Sequence, residues 1–253
     1  MANTKLIAGN WKMNGLSTDG LPRAKHIADF VTENKSALNG KAEILIAPPA
    51  TLISALHSIT KSSPVFLGGQ DCHPETSGAF TGDLSAEMLK DAGCSYIIAG
   101  HSERRAIHGE TDELVAAKTA ATHRAGMTAV VCVGETAAQR QSGEAEKTVK
   151  AQIMQSLPDT ILAGNTVIAY EPVWAIGTGL TATIEDIEAM HGFIRGLLEK
   201  SFPVIAATHL LYGGSVKGAN AAQILSCANV DGVLVGGASL NGQEFCDIIG
   251  AAL

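Results

Sequence analysis

The run Ala169 to Gly179, AYEPVWAIGTG, carries an apolar, strand-like segment straight into a loop, and the residue at the junction is a carboxylate, Glu171. Pro172 fixes its own φ and biases Glu171 toward an extended backbone, while Gly177 and Gly179 permit angles that other residues resist. The segment Pro172, Val173, Trp174, Ala175, Ile176, Gly177, Thr178, Gly179 is therefore stiff in its middle and bendable at its edges. Those are the properties of a lid over a general base. An ordinary solvent-facing connection would not explain Trp174 and Ile176. Thr183, followed by Glu185 and Asp186, reads as a helix cap, so the loop ends near Thr181.

Further polar groups interrupt apolar runs elsewhere. Asn10-Trp11-Lys12 follows the first such run, and Lys12 is either a surface lysine or a cation placed at a site. His101 opens the stretch Gly100-His101-Ser102-Glu103-Arg104-Arg105. A helix beginning there disfavours the imidazolium and leaves a neutral ring that can donate a hydrogen bond to a carbonyl oxygen. Arg104 and Arg105 are expected to form a salt-bridged network. Two glycine pairs, Gly213-Gly214 before Ser215 and Gly236-Gly237, each precede a helical stretch. Backbone N–H groups bared by glycine at a helix start form an anion cradle that needs no cationic side chain.

The elements that must position these groups alternate. Strand-like runs recur at Leu6 to Ala8, Ile44 to Ala47, Val65 to Leu67, Tyr96 to Ala99, Thr128 to Val133, Thr166 to Tyr170, Thr208 to Tyr212 and Gly232 to Val235. Stretches of helical period include Leu21 to Leu38, Leu114 to Ala125, Ile184 to Lys200, Ala219 to Leu225 and Phe245 to Leu253. Eight alternations suit a single-domain (β/α)8 barrel over residues 1–253, whose functional face is the C-terminal end of the strands. An open doubly wound sheet fits less well, because no strand is followed by GxGxxG or GxxxxGK[ST].

Composition narrows the function classes. The chain has 253 residues, 46% hydrophobic and 17% charged, with ample material for one large core. A formal charge of -7 argues against a nucleic-acid partner, so an anionic substrate must be drawn by local positive charge. Nothing approaches the roughly 18 apolar residues of a membrane span. Five cysteines without a CxxC pair, and no histidine at metal-ligand spacing, lead us to expect reduced thiols in a cytoplasmic protein and no metal.

Six motifs, GNWKMN (Gly9 to Asn14), AGHSERR (Ala99 to Arg105), CVGET (Cys132 to Thr136), AYEPVWAIGTG, YGGSV (Tyr212 to Val216) and VGGASL (Val235 to Leu240), resemble those of the triosephosphate isomerases, in the family's order and across the whole chain. The resemblance implies interconversion of dihydroxyacetone phosphate and D-glyceraldehyde 3-phosphate through an enediolate, without metal or cofactor. It implies Glu171 as base, His101 as neutral electrophile, and Lys12 with Asn10 as the groups that steady the oxyanion. Gly177, Ser215, Gly236 and Gly237 match backbone donors to the phosphate. Glu103 matches an acid that positions Lys12, and Ser102 and Cys132 match residues behind His101 and Glu171. The alternative is a catalytically silent homologue acting as a binding or structural protein, which would be expected to lack Lys12, His101 or Glu171; all three are present.

The connection Gln70 to Gly82, QDCHPETSGAFTG, is long, poor in charge and tipped by Phe80. It is either a mobile surface loop or an element that inserts into something apolar. The resemblance implies a homodimer in which Thr81 approaches the partner's Asn10 and the partner's Lys12. Asn241, Leu180 and His209 depart from the family's common pattern, where basic residues are frequent, and are expected to affect surface ion pairs rather than the reaction.

Overall fold

Eight short parallel strands close on themselves in sequence order: β1 (Lys5–Asn10), β2 (Ala42–Ala47), β3 (Val65–Gly69), β4 (Tyr96–Ala99), β5 (Thr128–Val133), β6 (Thr166–Tyr170), β7 (Leu210–Tyr212) and β8 (Gly232–Val235). The computed structural model describes residues 4–177 and 180–253. Closure comes from the pairing of β1 with β8, Leu6 opposite Gly232 through Gly9 opposite Val235. Alternate residues point inward, where Leu6, Ala8, Leu45, Ile98, Val130, Cys132, Ala169 and Leu211 fill the lumen. The others, including Ile7, Ile44, Ile97, Val131 and Ile168, meet the surrounding helices. The lumen is thus a packed core, and chemistry is confined to the strand ends.

The surrounding helices are α1 (Ser17–Glu33), α2 (Lys35–Leu38), α3 (Ala50–Thr60), α4 (Ala86–Asp91), α5 (Ser102–His108), α6 (Asp112–Arg124), α7 (Ala137–Gln141), α8 (Ala145–Ser156), α9 (Ile184–Ser201), α10 (Gly218–Ser226) and α11 (Gly242–Gly250). The period expected from Leu21 to Leu38 is not one helix. It begins at Ser17 and breaks at Asn34, whose Nδ2 donates to the Phe30 carbonyl at 2.9 Å and closes the last turn of α1. The seventh strand, expected from Thr208, starts at Leu210. The reason is that both backbone groups of Thr208 are engaged outside the ladder, its N–H donating to the Ile205 carbonyl at 2.9 Å and its carbonyl accepting from Arg195 Nη1 at 2.9 Å. Thr183 caps α9 as read, its hydroxyl accepting from the Asp186 N–H and the Asp186 carboxylate accepting from the Thr183 N–H. Asn241, one of the three departures, caps α11 by accepting from the Glu244 N–H at 3.1 Å.

One buried group in this shell titrates. His191 on α9 is fully buried, its Nδ1–H donates to the Asn229 carbonyl at 3.0 Å, and its Nε2 has no partner among the described residues. Burial pushes its pKa down to about 4. The unfolded chain takes up a proton as pH falls through about 6.5, and the native chain refuses it until about 4, so stability falls with falling pH in that window. His191→Gln keeps a donor for Asn229 and does not titrate. Urea unfolding at pH 7 and pH 5 should show the wild type losing about 2 kcal/mol more than this variant. Equal losses would mean that His191 is protonated in the folded protein.

Candidate active site

At the C-terminal mouth of the barrel lies a cavity of about 880 Å³ lined by Asn10, Lys12, His101, Glu103, Glu171, Gly177, Ser215, Gly236 and Gly237. Residues read separately from five strand ends and the lid share one space. Ser102 and Cys132 do not line it; they sit behind Glu171, on a second cavity of about 240 Å³. Of the lid residues, Ala175 and Ile176 join Gly177 on the wall, Pro172 to Trp174 form its base, and Thr178 and Gly179 lie outside the described residues. Thr81 is exposed on the connection after β3 and takes no part in the cavity.

Glu171 follows β6 and is only 2% exposed. Its Oε2 accepts the Ser102 N–H at 2.9 Å, the Ser102 hydroxyl donates to Oε1 at 3.3 Å, and His101 Nε2 lies 3.0 Å from Oε1. Burial pushes the carboxyl pKa up, but His101, the Ser102 N–H and the Cys132 thiol outweigh it and hold it below the ordinary glutamate value. The group is an ionised carboxylate out of water. Burial and then the Glu171 charge drive the Cys132 thiol far above its ordinary range, so Cys132 is inert as a nucleophile. The backbone at this point is as tight as the side chain. A Cβ on Gly134 would lie 1.7 Å from the Glu171 carbonyl oxygen, so only glycine lets β5 pass here.

His101 is the N-cap of α5, and its Nδ1 accepts the Glu103 N–H at 3.2 Å. That bond places the proton of the neutral ring on Nε2, facing Glu171. The helix terminus alone leads one to expect a lowered pKa, and here the structure corrects the reading. Burial does lower it, but the Glu171 and Glu103 carboxylates raise it more, and the net direction is upward while Glu171 occupies this position. The state of the ring therefore depends on where the Glu171 carboxylate is.

Lys12 adopts a left-handed backbone at φ 51, uncommon for a residue with a side chain. Two amides impose it. Asn10 Oδ1 accepts the Lys12 N–H at 2.9 Å, and Gln70 Nε2 donates to the Lys12 carbonyl at 2.8 Å and to the Ala47 carbonyl at 2.9 Å. Its ammonium donates to Glu103 at 2.5 Å, as the pairing of these residues implies, and its stem passes 3.4 Å from where Gly236 would carry a Cβ. A Cβ at 236 would stand in ordinary van der Waals contact with that stem. Of the two glycine pairs, Gly213 is already committed, its N–H bonding the Tyr170 carbonyl at 2.7 Å.

Sequence reasoning passed over Gln70 and, more seriously, Glu135. This residue, the acid of CVGET, is fully buried and ties down the base of the lid. Its Oε1 accepts from Trp174 Nε1 at 2.9 Å, from the Tyr170 hydroxyl at 3.1 Å and from Arg140 at 3.3 Å, while its carbonyl accepts the Val173 N–H at 3.1 Å. Arg140 also stacks 4.5 Å over the Trp174 ring and pairs with Asp186. The only signal was an acid at a strand end; its partners are far away in sequence.

The chain is similar to known proteins along nearly its whole length. The profile of a family described as triosephosphate isomerase matches residues 5–252. A triosephosphate isomerase from Bradyrhizobium diazoefficiens is 52% identical over 244 residues, covering 96% of this chain and 95% of its own. That of Rhizobium meliloti is 50% identical over 244 residues, covering 96% and 94%. The crystal structure of triosephosphate isomerase from Bartonella henselae superposes with a TM-score of 0.89 at 44% identity, covering 98% of each chain.

Glu135→Leu removes the shared acceptor of Trp174, Tyr170 and Arg140. Amide exchange across residues 173–176 should then quicken by about tenfold, the loss of roughly 1.4 kcal/mol of local stability, while β6 exchanges as before. Unchanged exchange at those four amides would show that the lid base is held by something else.

Proposed function

The chain belongs to the triosephosphate isomerase family, and from that premise we propose that it interconverts dihydroxyacetone phosphate and D-glyceraldehyde 3-phosphate with Glu171 as its base. The observation that carries the assignment of roles is the meeting of an ionised, buried carboxylate with the Nε2 of His101 at 3.0 Å, on the wall of a cavity that also holds Lys12 and the Gly236-Gly237 turn. Glu171 removes a proton from the carbon beside the carbonyl, and the carbonyl oxygen becomes an enediolate oxyanion. Lys12 and the His101 Nε2–H stabilise that charge, with Asn10 orienting the substrate. The proton returns to the neighbouring carbon, and aldose and ketose exchange.

To reach the substrate the carboxylate must leave Ser102. As it does, His101 loses the neighbour that raises its pKa most, and burial with the α5 N-terminus keeps the ring neutral. A neutral imidazole is the better electrophile here, because it can pass protons between the two substrate oxygens. The phosphate is held by the N–H groups of Gly177, Ser215, Gly236 and Gly237, and Pro172 to Gly179 closes over it. Closure excludes water from an enediolate that would otherwise lose its phosphate. Glu171→Gln should lower kcat by at least about 10²-fold with inhibition by inorganic phosphate little changed. A variant with wild-type turnover in a coupled assay would remove Glu171 from the mechanism, and an inactive wild type would favour the silent homologue.

The working unit we propose is a homodimer. The connection after β3 is an ordered finger: the His73 N–H donates to the Leu84 carbonyl at 2.7 Å, and the His73 ring lies 4.0 Å from that of Phe80. Exposed around it are Phe80, Leu84 and Met88, and beside the site Met13 and Leu16. Two such apolar patches on one chain suit a symmetric contact in which Thr81 approaches the partner's Asn10 and the partner's Lys12. Among the described residues no helix is long and apolar enough to cross a membrane, and five free, buried thiols suit the cytoplasm we assign. Shortening residues 74–81 to a two-glycine turn should yield a monomer by analytical ultracentrifugation, with kcat reduced at least about 10²-fold although no catalytic residue is changed. A wild-type monomer of full specific activity would remove the interface role.

A further inference from the structure

Where β4 and β5 part, a single guanidinium takes the place of a strand. Their last ladder pair is Ala99 with Val131, after which Gly100 turns outward at φ +67, a left-handed angle that suits glycine. Carbonyls along a strand alternate in direction. That of Val133 accepts the Glu171 N–H on the β6 side, so that of Cys132 points back to the side that β4 has left. Arg105 fills the gap, Nε donating to the Gly100 carbonyl at 2.8 Å and Nη2 to the Cys132 carbonyl at 3.2 Å. Asp112 pairs with the same guanidinium, and the fully buried Ser156 hydroxyl bonds both of them at 3.1 Å. This needs a planar fork of donors, which an ammonium lacks.

The two tied carbonyls belong to the segments that seat the carboxylate of Glu171. His101 and Ser102 follow Gly100 directly, and Cys132 turns its thiol to the carboxylate. We propose that Arg105 is a positioning residue for Glu171, holding the ends of β4 and β5 at the spacing at which Ser102, His101 and Cys132 receive the carboxylate. It acts through the strand ends, since it lines only the second cavity, behind Glu171 and away from the substrate. The inference goes beyond the salt-bridge role read from sequence and rests on Glu171 as the base.

A pH signature follows. The groups facing the carboxylate are His101 and Ser102 at the start of α5 and Cys132 on β5, with Glu103 and Lys12 facing His101 in turn. Burial pushes Glu171 up and its neighbours hold it down. Loosening the strand ends weakens the neighbours more than the burial, so the pKa rises. The base must be ionised to act, and the acid limb of kcat/KM therefore moves to higher pH.

The test is Arg105→Ala and Arg105→Lys, each checked for folding by circular dichroism. We expect kcat to fall by about 10²-fold in both, as for an ångström of misplacement of His101, which follows the tied Gly100 and must meet the substrate after the carboxylate has left Ser102, with KM and inhibition by inorganic phosphate within about threefold and the acid limb shifted upward. Added guanidinium, entering the second cavity, should restore about tenfold of kcat to the alanine variant, and ethylammonium should not. Folded variants with kcat within about threefold of wild type and an unmoved acid limb would overturn the proposal, as would full activity in the lysine variant. So would parallel loss of kcat and phosphate affinity, in step with the folded fraction and without rescue. Should Arg105→Ala not fold, Ser156→Ala loosens one anchor alone; an upward acid limb supports the proposal and an unmoved one overturns it. Wild-type activity in Glu171→Gln would instead remove the base assignment, whatever the arginine variants do.

Discussion

A carboxylate that stays charged with almost no water around it is the constraint on which this barrel's working end depends. Taking an ion out of water costs several kcal/mol unless its lone pairs are met. Glu171 meets that cost with the N–H and hydroxyl of Ser102, the imidazole of His101 and the thiol of Cys132, all supplied by the two preceding strand ends. The demands propagate outward. Ser102 can offer its N–H because α5 begins there and the first turn of a helix leaves donors unused. Gly134 must lack a side chain because the Glu171 carbonyl occupies that space.

The opposite charge is held more loosely. Lys12 and Glu103 pair at 2.5 Å, but both side chains are open to solvent, a setting in which an ion pair is worth at most about 1 kcal/mol. Such a pair orients the ammonium without committing it, and in the mechanism proposed above an arriving phosphate or oxyanion would compete with Glu103. The rigidity lies in the backbone of Lys12, clamped by Asn10 and Gln70, rather than in its terminal charge. In a chain of net charge -7, this local arrangement supplies the attraction that the protein as a whole does not.

What could be read from sequence was what depends on neighbours in the chain. β6 was legible to the residue because it is a continuous β-branched and apolar run, Thr166 to Tyr170, buried at all five positions, and the start of α9 because Thr183 and Asp186 lie three apart. The helix α8 went unread because only Val149, Ile153 and Ser156 of its residues are buried, too weak a stripe to show a period. Asn10, Lys12, His101 and Glu171 drew notice because each follows an apolar run, but the run left Lys12 open as a surface lysine, and the roles of Asn10, Lys12 and His101 came from the six family motifs. Glu135 also ends such a run, but its meaning lies in Tyr170 and Trp174, 35 and 39 positions away, and no local pattern expresses that. Arg105 was read only as a member of a salt-bridged network for the same reason: its partners Cys132 and Ser156 lie 27 and 51 positions away.

The placement of the chain's two tryptophans has a practical side. Trp11 lies buried after β1 with Arg23 4.6 Å over its ring. Trp174 stands at the base of the lid, its indole N–H on a buried carboxylate and a guanidinium across its face. A shift of the loop, as proposed above, would change the charges around that second indole, with the first, further from the loop in sequence, as a reference. The loop motion proposed above would thus have its own optical probe, and replacing Trp11 by phenylalanine would isolate the emission of that probe for stopped-flow work without attaching a dye.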